Sequence, residues 1–373
     1  MNDKIKIRPD SADASVGCTA LPSSGLRVMM KQASRNEYID TLRGLACILL
    51  VLWHAVGGNP RSGFHIGEGS LWRIFVDFFS YIRMPLFAFL SGYVYSWRPF
   101  AGNHGGFLAG KARRLLLPML VVGTLFAIAQ SNIPGTNNGG RDWTTLHVVP
   151  IAHFWFLESL FIIFMIVMIL ESLKLLNSPL RLAIVFAIAV VIQLTSPAPK
   201  FLGLGGVIYL LPYFLFGVAC SRYSLHEIGH RHLNLSVALT ILLGASAYAL
   251  AGLLGYVPIS PRISIVALLI GTTALFILVC CGWNNTILNY VGRSSYAIFL
   301  FHVFFTAGTR IVAYRWQFTD VNTLILLATA NGILGPMLVE HFANRLSFTR
   351  TVLLGRRWTE MDRESRRANA ESW

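Results

Sequence analysis

Residues 41–58 read TLRGLACILLVLWHAVGG, an apolar run that carries only two basic side chains, Arg43 and His54, and no acidic one. A run of about this length crosses a bilayer as a helix. Ionisable residues at membrane depth are costly and by default mark function. Eleven helical steps make three turns plus roughly 20° and rise about 16 Å, so both side chains share one face. That face runs from a membrane rim, where Arg43 reaches water or a phosphate, to the interior, where His54 can do proton chemistry. From this stretch alone a second reading stays open, in which Arg43 is a positive-inside anchor and His54 a hydrogen-bonded bundle histidine.

The rest of the chain has the same character. Of 373 residues, 54% are hydrophobic and only 13% charged, and the mean hydropathy is +0.58. These values exclude an ordinary water-soluble domain and predict an all-α, polytopic membrane helix bundle. The formal charge of +14 does not point to nucleic acid, because the basic residues cluster at the tails and between apolar runs and not on a soluble domain. The partner they imply is the lipid bilayer. The five cysteines, Cys18, Cys47, Cys220, Cys280 and Cys281, show no CxxC spacing and read as small packing residues. No metal is expected.

Spanning runs fall at 42–58, 74–97, 115–131, 153–172, 180–195, 204–220, 234–254, 262–281, 294–314 and 321–342, which makes about ten helices. The fifth and sixth are the weakest, since Pro197 and Pro199 break the chain between them and Gly203, Gly205 and Gly206 follow. An even number puts both termini on one side, and the concentration of Lys and Arg before Arg43, in 98–114 and after Arg345 makes that side cytosolic. The expected organisation is a flexible cytosolic tail over 1–37, a membrane domain over 38–344 and a charged cytosolic tail over 345–373. In this orientation Arg43 sits at the cytosolic rim and His54 in the outer half.

Other charges need partners. Asp77 and Arg83 are six apart and lie on different faces, so Arg83 requires an interhelical partner, a water-filled cavity or a bound anion. Glu158, in HFWFLESLF, is either a carboxylate that orients His54 or an ion-pair partner of Arg83. The same segment places His153 toward the outer side, with His54. Lys111 and Arg114 are three apart at the start of the third helix, where basic groups and a helix N-terminus favour phosphate, though anchoring explains them equally well. His302 reads as a packed, hydrogen-bonded histidine, and Ser91-Gly92 as a site of close backbone approach. There is no GxSxG elbow, HExxH, Walker A or Rossmann glycine pattern on a βαβ unit.

In order, YIDTLRGLACILLVLWHA, MPLFAFLSGYV, KARRLLLP, FWFLE and SSYAIFLFH resemble the acyltransferase family 3 membrane proteins of bacteria, which O-acylate surface or secreted glycans. The resemblance spans about residues 38–342. Its most specific element is Arg, ten residues and His, here Arg43 and His54. It implies that His54 is the catalytic group and that Arg43, Lys111 and Arg114 serve the acyl donor, with Lys111 standing where the family often has Arg. It places Glu158 in an acidic helix motif, from whose fuller Glu-Glu version this chain departs. No appended SGNH-type domain is evident, so the chain is expected to act alone or with separate polysaccharide-assembly proteins. The expected activity is transfer of an acetyl or other short acyl group from cytosolic acetyl-CoA to a glycan or lipid-linked saccharide at the inner (plasma) membrane. In that scheme His54 and Glu158 are catalytic, while Arg43, Lys111, Arg114 and Arg83 bind the donor. The alternative is a transporter of a lipid-linked sugar or anion with Arg83 and Glu158 as coupling charges; a weaker one is a scaffold of an export complex.

Overall fold

The computed structural model describes residues 23–134, 136, 143–199, 201–225 and 232–357. Most of the proposed tails, 1–22 and 358–373, therefore lies outside the described residues. All the helices and strands assigned among the described residues are helices. They are α1 (Ser23–Val56), α2 (Leu71–Phe78), α3 (Ser80–Tyr95), α4 (His104–Asn132), α5 (Trp155–Ser172), α6 (Pro179–Thr195), α7 (Leu204–Arg222), α8 (His232–Leu253), α9 (Ile265–Cys281), α10 (Thr286–Arg293), α11 (Ser295–Arg315), α12 (Val321–Ala343) and α13 (Ser347–Leu354).

The protein is an all-α polytopic membrane bundle. Among the described residues eight helical spans are long and apolar enough to cross a bilayer. Each of the ten runs read from the sequence is helical, but two fall short alone. Helix α6 has 17 residues, because the chain turns extended at Ser196 ahead of Pro197. Helix α9 also has 17 residues and ends where Gly282 adopts a left-handed φ of 55°. It then bends by 114° into α10.

Helix α1 is the axis of the site. It packs on α3, α10, α11 and α12, and Leu42, Ala46, Cys47, Leu50 and Val51 are buried along it. Its Arg43 end is fixed by side chains: Asn289 donates to the Glu37 carbonyl (2.9 Å) and Thr41 donates to Asn284 Oδ1 (3.2 Å). Helices α3 and α7 form the most extensive pair. A Cβ on Gly92 would overlap the Phe214 carbonyl oxygen, and one on Gly217 would overlap that of Phe89. These reciprocal contacts are the close backbone approach expected of Ser91-Gly92, and they work without a hydrophobic driving force because lipid is as apolar as the side chains. The faces turned outward are apolar, with Ile184, Ile188 and Val191 on α6 and Leu326, Leu334 and Leu338 on α12 all exposed.

Beyond the end of α1 the chain folds back as a loop over 57–70. Arg73, buried at 4% exposure, donates to the carbonyls of Gly57 and Ile66, and Arg310 donates to that of Gly63 (3.0 Å). Phe64 and Ile66 close an apolar cluster with Leu52, Val56, Leu324 and Ile325. The loop is thereby held as a wall of the cavity described next.

Candidate active site

His54 lines a cavity of about 680 Å³, a size suited to a small organic ligand. Its walls come from the 57–64 loop, Ser80, Arg83 and Met84 of α3, the last residues of α4, Ala152 and His153, Gly205 and Gly206 at the start of α7, Arg262 and Ile263 before α9, and α11 from Phe299 to Ile311. All of these lie toward the end of α1 opposite Arg43.

Three histidines meet beside this cavity: His54 and His153 line it, and His302 is fully buried behind them. His302 Nε2 lies 3.1 Å from His54 Nδ1, and the His153 ring centroid is 4.7 Å from that of His302 and 5.7 Å from that of His54. Helix geometry sets the first contact, since α1 and α11 pack directly and carry one imidazole each at matching depth. His153 arrives from a short 3-10 turn, Ala152–Phe154, whose first residue holds a left-handed φ of 46°. A non-glycine residue in that region is strained and persists only where its surroundings impose it.

The hydrogen bonds define the tautomers. His302 Nδ1 faces only the carbonyls of Ile298 (2.8 Å) and Phe299 (2.9 Å), which accept and never donate, so Nδ1 carries the proton and Nε2 the lone pair. His54 Nδ1 faces that lone pair and the Leu50 carbonyl (2.9 Å). It therefore donates to both, and His54 Nε2 is left as a free base. His153 has neither ring nitrogen in a well-directed hydrogen bond, although both are buried. The ligand atoms of the three rings lie within 4.8 Å of one another, close enough to hold a metal ion. The hydrogen bond between His302 Nε2 and His54 Nδ1 already engages one nitrogen of each of two of these rings.

Trp53 stands edge-on to His54, with centroids 4.6 Å apart. The Arg83 guanidinium lies 4.4 Å and that of Arg262 5.7 Å from its ring centroid. Arg83 is only 3% exposed, and its Nε and Nη1 have no hydrogen-bond partner. As expected, Asp77 forms no ion pair with it among the described residues.

The remaining predicted residues lie elsewhere. Glu158 does not orient His54 and is not paired with Arg83: it is buried on α5, its Oε2 has no hydrogen-bond partner, and Gly203 lies against its Cβ. The reason is the turn at Ala152–Phe154, which delivers His153 to the His54 ring and carries Glu158 deeper along α5. Arg43 pairs with Asp40 at 2.8 Å, with side chains 34% and 20% exposed. The Lys111 ammonium sits 3.4 Å from the Phe164 ring centroid, a cation–π contact against α5. Arg114 is exposed. Neither Arg43, Lys111, Arg114 nor Glu158 lines the cavity. Between Arg43 and His54 on α1, Ala46, Cys47, Leu50 and Val51 are buried in the core.

His302, His153, Trp53 and Arg262 thus join His54 and Arg83, and the sequence reading gave none of them a catalytic or binding part. The available signal was the SSYAIFLFH segment, which places a histidine in an otherwise apolar helix.

An all-helical membrane bundle with a histidine on the wall of a cavity can house group-transfer chemistry. The acyltransferase domain of acyltransferase family 3 matches residues 36–341, most of the chain. The protein belongs to this family and is an integral membrane acyltransferase. Comparison with curated proteins gives no match.

Proposed function

We propose that the protein transfers an acetyl group from acetyl-CoA to a hydroxyl of a glycan or lipid-linked sugar held in the cavity beside His54. The observation that carries this reading is the relay from the Ile298 and Phe299 carbonyls through His302 to His54 Nδ1, which leaves His54 Nε2 with its lone pair at a cavity large enough for a sugar.

The chemistry balances on that nitrogen. His54 Nε2 takes the proton of the acceptor hydroxyl as its oxygen attacks the thioester carbonyl carbon. The imidazolium so formed is stabilised through Nδ1–H by His302 and the Leu50 carbonyl. The carbon–sulfur bond breaks, the thiolate of coenzyme A takes the proton back from Nε2, and the products are the ester and the free thiol. Coenzyme A supplies phosphates that suit Arg43, Lys111 and Arg114 at the opposite end of the bundle. A pantetheine arm entering from there must part the aromatic layer of Phe87, Phe156 and Phe299 to reach His54. The protein would work in the inner (plasma) membrane, with both termini cytosolic and the acceptor on the outer side. Polysaccharide-assembly proteins are its expected partners.

The test is transfer of label from acetyl-CoA to membrane glycans. His54→Ala is expected to abolish it with membrane insertion intact, and the wild-type rate is expected to fall on acidification as Nε2 becomes protonated. Mass spectrometry of the glycans identifies the acyl group and acceptor together. Undiminished transfer by His54→Ala refutes the assignment.

A further inference from the structure

The cavity is cationic in a way that acetyl transfer to a neutral sugar does not require. Arg83, Arg262 and Arg310 line it, and no Asp or Glu does among the described residues. Arg310 is engaged with the loop through Gly63, but Arg83 is different. It is almost fully buried, presents two nitrogens without partners, and is held by the face of Trp53 instead of by an acid. A buried cation left without an acceptor is costly. Arg83 and the exposed Arg262 both approach the Trp53 ring, and Trp53 stands edge-on against the His54 ring. An anion between the two guanidiniums would therefore lie within one sugar residue of the base.

We infer, building on the acyltransferase reading above, that the acceptor is an anionic saccharide whose carboxylate or phosphate is clamped by Arg83 and Arg262 beside Trp53, so that a nearby hydroxyl meets His54. A guanidinium offers several N–H donors in a planar fork that matches either oxyanion. Much of the remaining wall is apolar and aromatic, with Phe126, Ile133, Val303 and Phe304, and neutral polar groups such as Asn59, Ser62 and Gln130 stand among them, which suits the faces and hydroxyls of a sugar.

The full-length protein in lipid nanodiscs is titrated with octyl β-glucuronide, octyl β-glucoside 6-phosphate and neutral octyl β-glucoside, and each is also offered as acceptor with labelled acetyl-CoA. At least one charged glycoside is expected to bind about tenfold or more tightly than the neutral one, the weight of a charge-assisted hydrogen bond, and which one does so distinguishes carboxylate from phosphate. Arg83→Gln is expected to bring the ratio near one; Arg262→Gln, at an exposed position, makes the same test where the buried variant fails to fold. Equal binding of charged and neutral glycosides overturns the inference, as does a preference that survives both substitutions. So does an Arg83-dependent preference for succinyl-CoA over acetyl-CoA with no discrimination among the glycosides, which would assign the arginines to the acyl group. Charge-selective binding without label transfer would leave the anion site standing and remove the acetyl-transfer proposal.

Discussion

Replacing His302 with Phe isolates the relay behind His54. The substitution removes the ring nitrogen that faces His54 Nδ1 at 3.1 Å and keeps a flat side chain of similar size at a position with 0% exposure. No buried donor is orphaned by it, because the Leu50 carbonyl still accepts from His54 Nδ1 at 2.9 Å and the Ile298 and Phe299 carbonyls belong to the helix ladder. The fold and the His54 tautomer are therefore expected to survive. What is lost is one hydrogen bond to the imidazolium that forms during proton transfer, and a bond to a charged group is worth about 1.5–3 kcal/mol. At about 1.4 kcal/mol per decade the turnover number should fall roughly ten- to 150-fold. KM for acetyl-CoA should be unchanged, since Arg43, Lys111 and Arg114 lie at the other end of the bundle. The assay is single-turnover transfer of label from acetyl-CoA in nanodiscs, normalised to folded protein by size exclusion. A His302→Phe variant that keeps more than about half of the wild-type turnover refutes the relay. One as dead as His54→Ala while correctly folded shows that His302 itself carries the proton.

Three further outcomes follow from other contacts. Gly92→Val forces side-chain carbons into the Phe214 carbonyl at the α3–α7 interface and should cost at least about 1–3 kcal/mol as overpacking; a normal yield of monodisperse protein from detergent would contradict that packing. Lys111→Gln together with Arg114→Gln should raise KM for acetyl-CoA about fivefold or more with little change in turnover, and an unchanged KM would remove both from the donor site. Because His54 and His302 bond ring to ring, chelator-treated protein should hold substoichiometric metal and keep its activity; tightly bound stoichiometric metal with chelator-sensitive turnover would reassign the three histidines as ligands.

The helices were legible because each spanning run is long, apolar and bounded by charge or proline. The coaxial placement of Arg43 and His54 followed from counting along a single helix. Contacts between helices were not legible in the same way. Glu158 and His153 are five residues apart, and the sequence could not tell which of them would reach His54; the left-handed Ala152 and the turn through Phe154 settle it in favour of His153. His302 lies 248 positions from His54, and no local periodicity reports that α1 and α11 pack with two imidazoles at one depth. Arg262 opens the run read as spanning at 262–281, where a basic residue at a helix end is ordinary, and its approach to Trp53 depends on how the α8–α9 connection crosses the bundle. Helix phase fixes the face a residue occupies and not the space in front of it, and Ala46, Cys47, Leu50 and Val51 between Arg43 and His54 on α1 are buried core.

Arg43 and Arg83, toward opposite ends of α1, are stabilised in opposite ways, and the contrast bears on their use. Arg43 finds a carboxylate one turn earlier on its own helix, in a partly exposed setting where such a pair is worth at most about 1 kcal/mol. It can exchange Asp40 for a phosphate at little cost. Arg83 has no acid to give up. Its guanidinium is held by packing on Trp53, with nitrogens unsatisfied in a site that the surrounding helices keep fixed before any ligand arrives. Binding an anion there requires no displacement of a protein carboxylate and relieves a desolvated charge already in place. A weakly compensated cation at the rim suits a donor that must come and go with each turnover. A preorganised one beside the base suits an acceptor whose hydroxyl must be aligned closely enough for proton transfer.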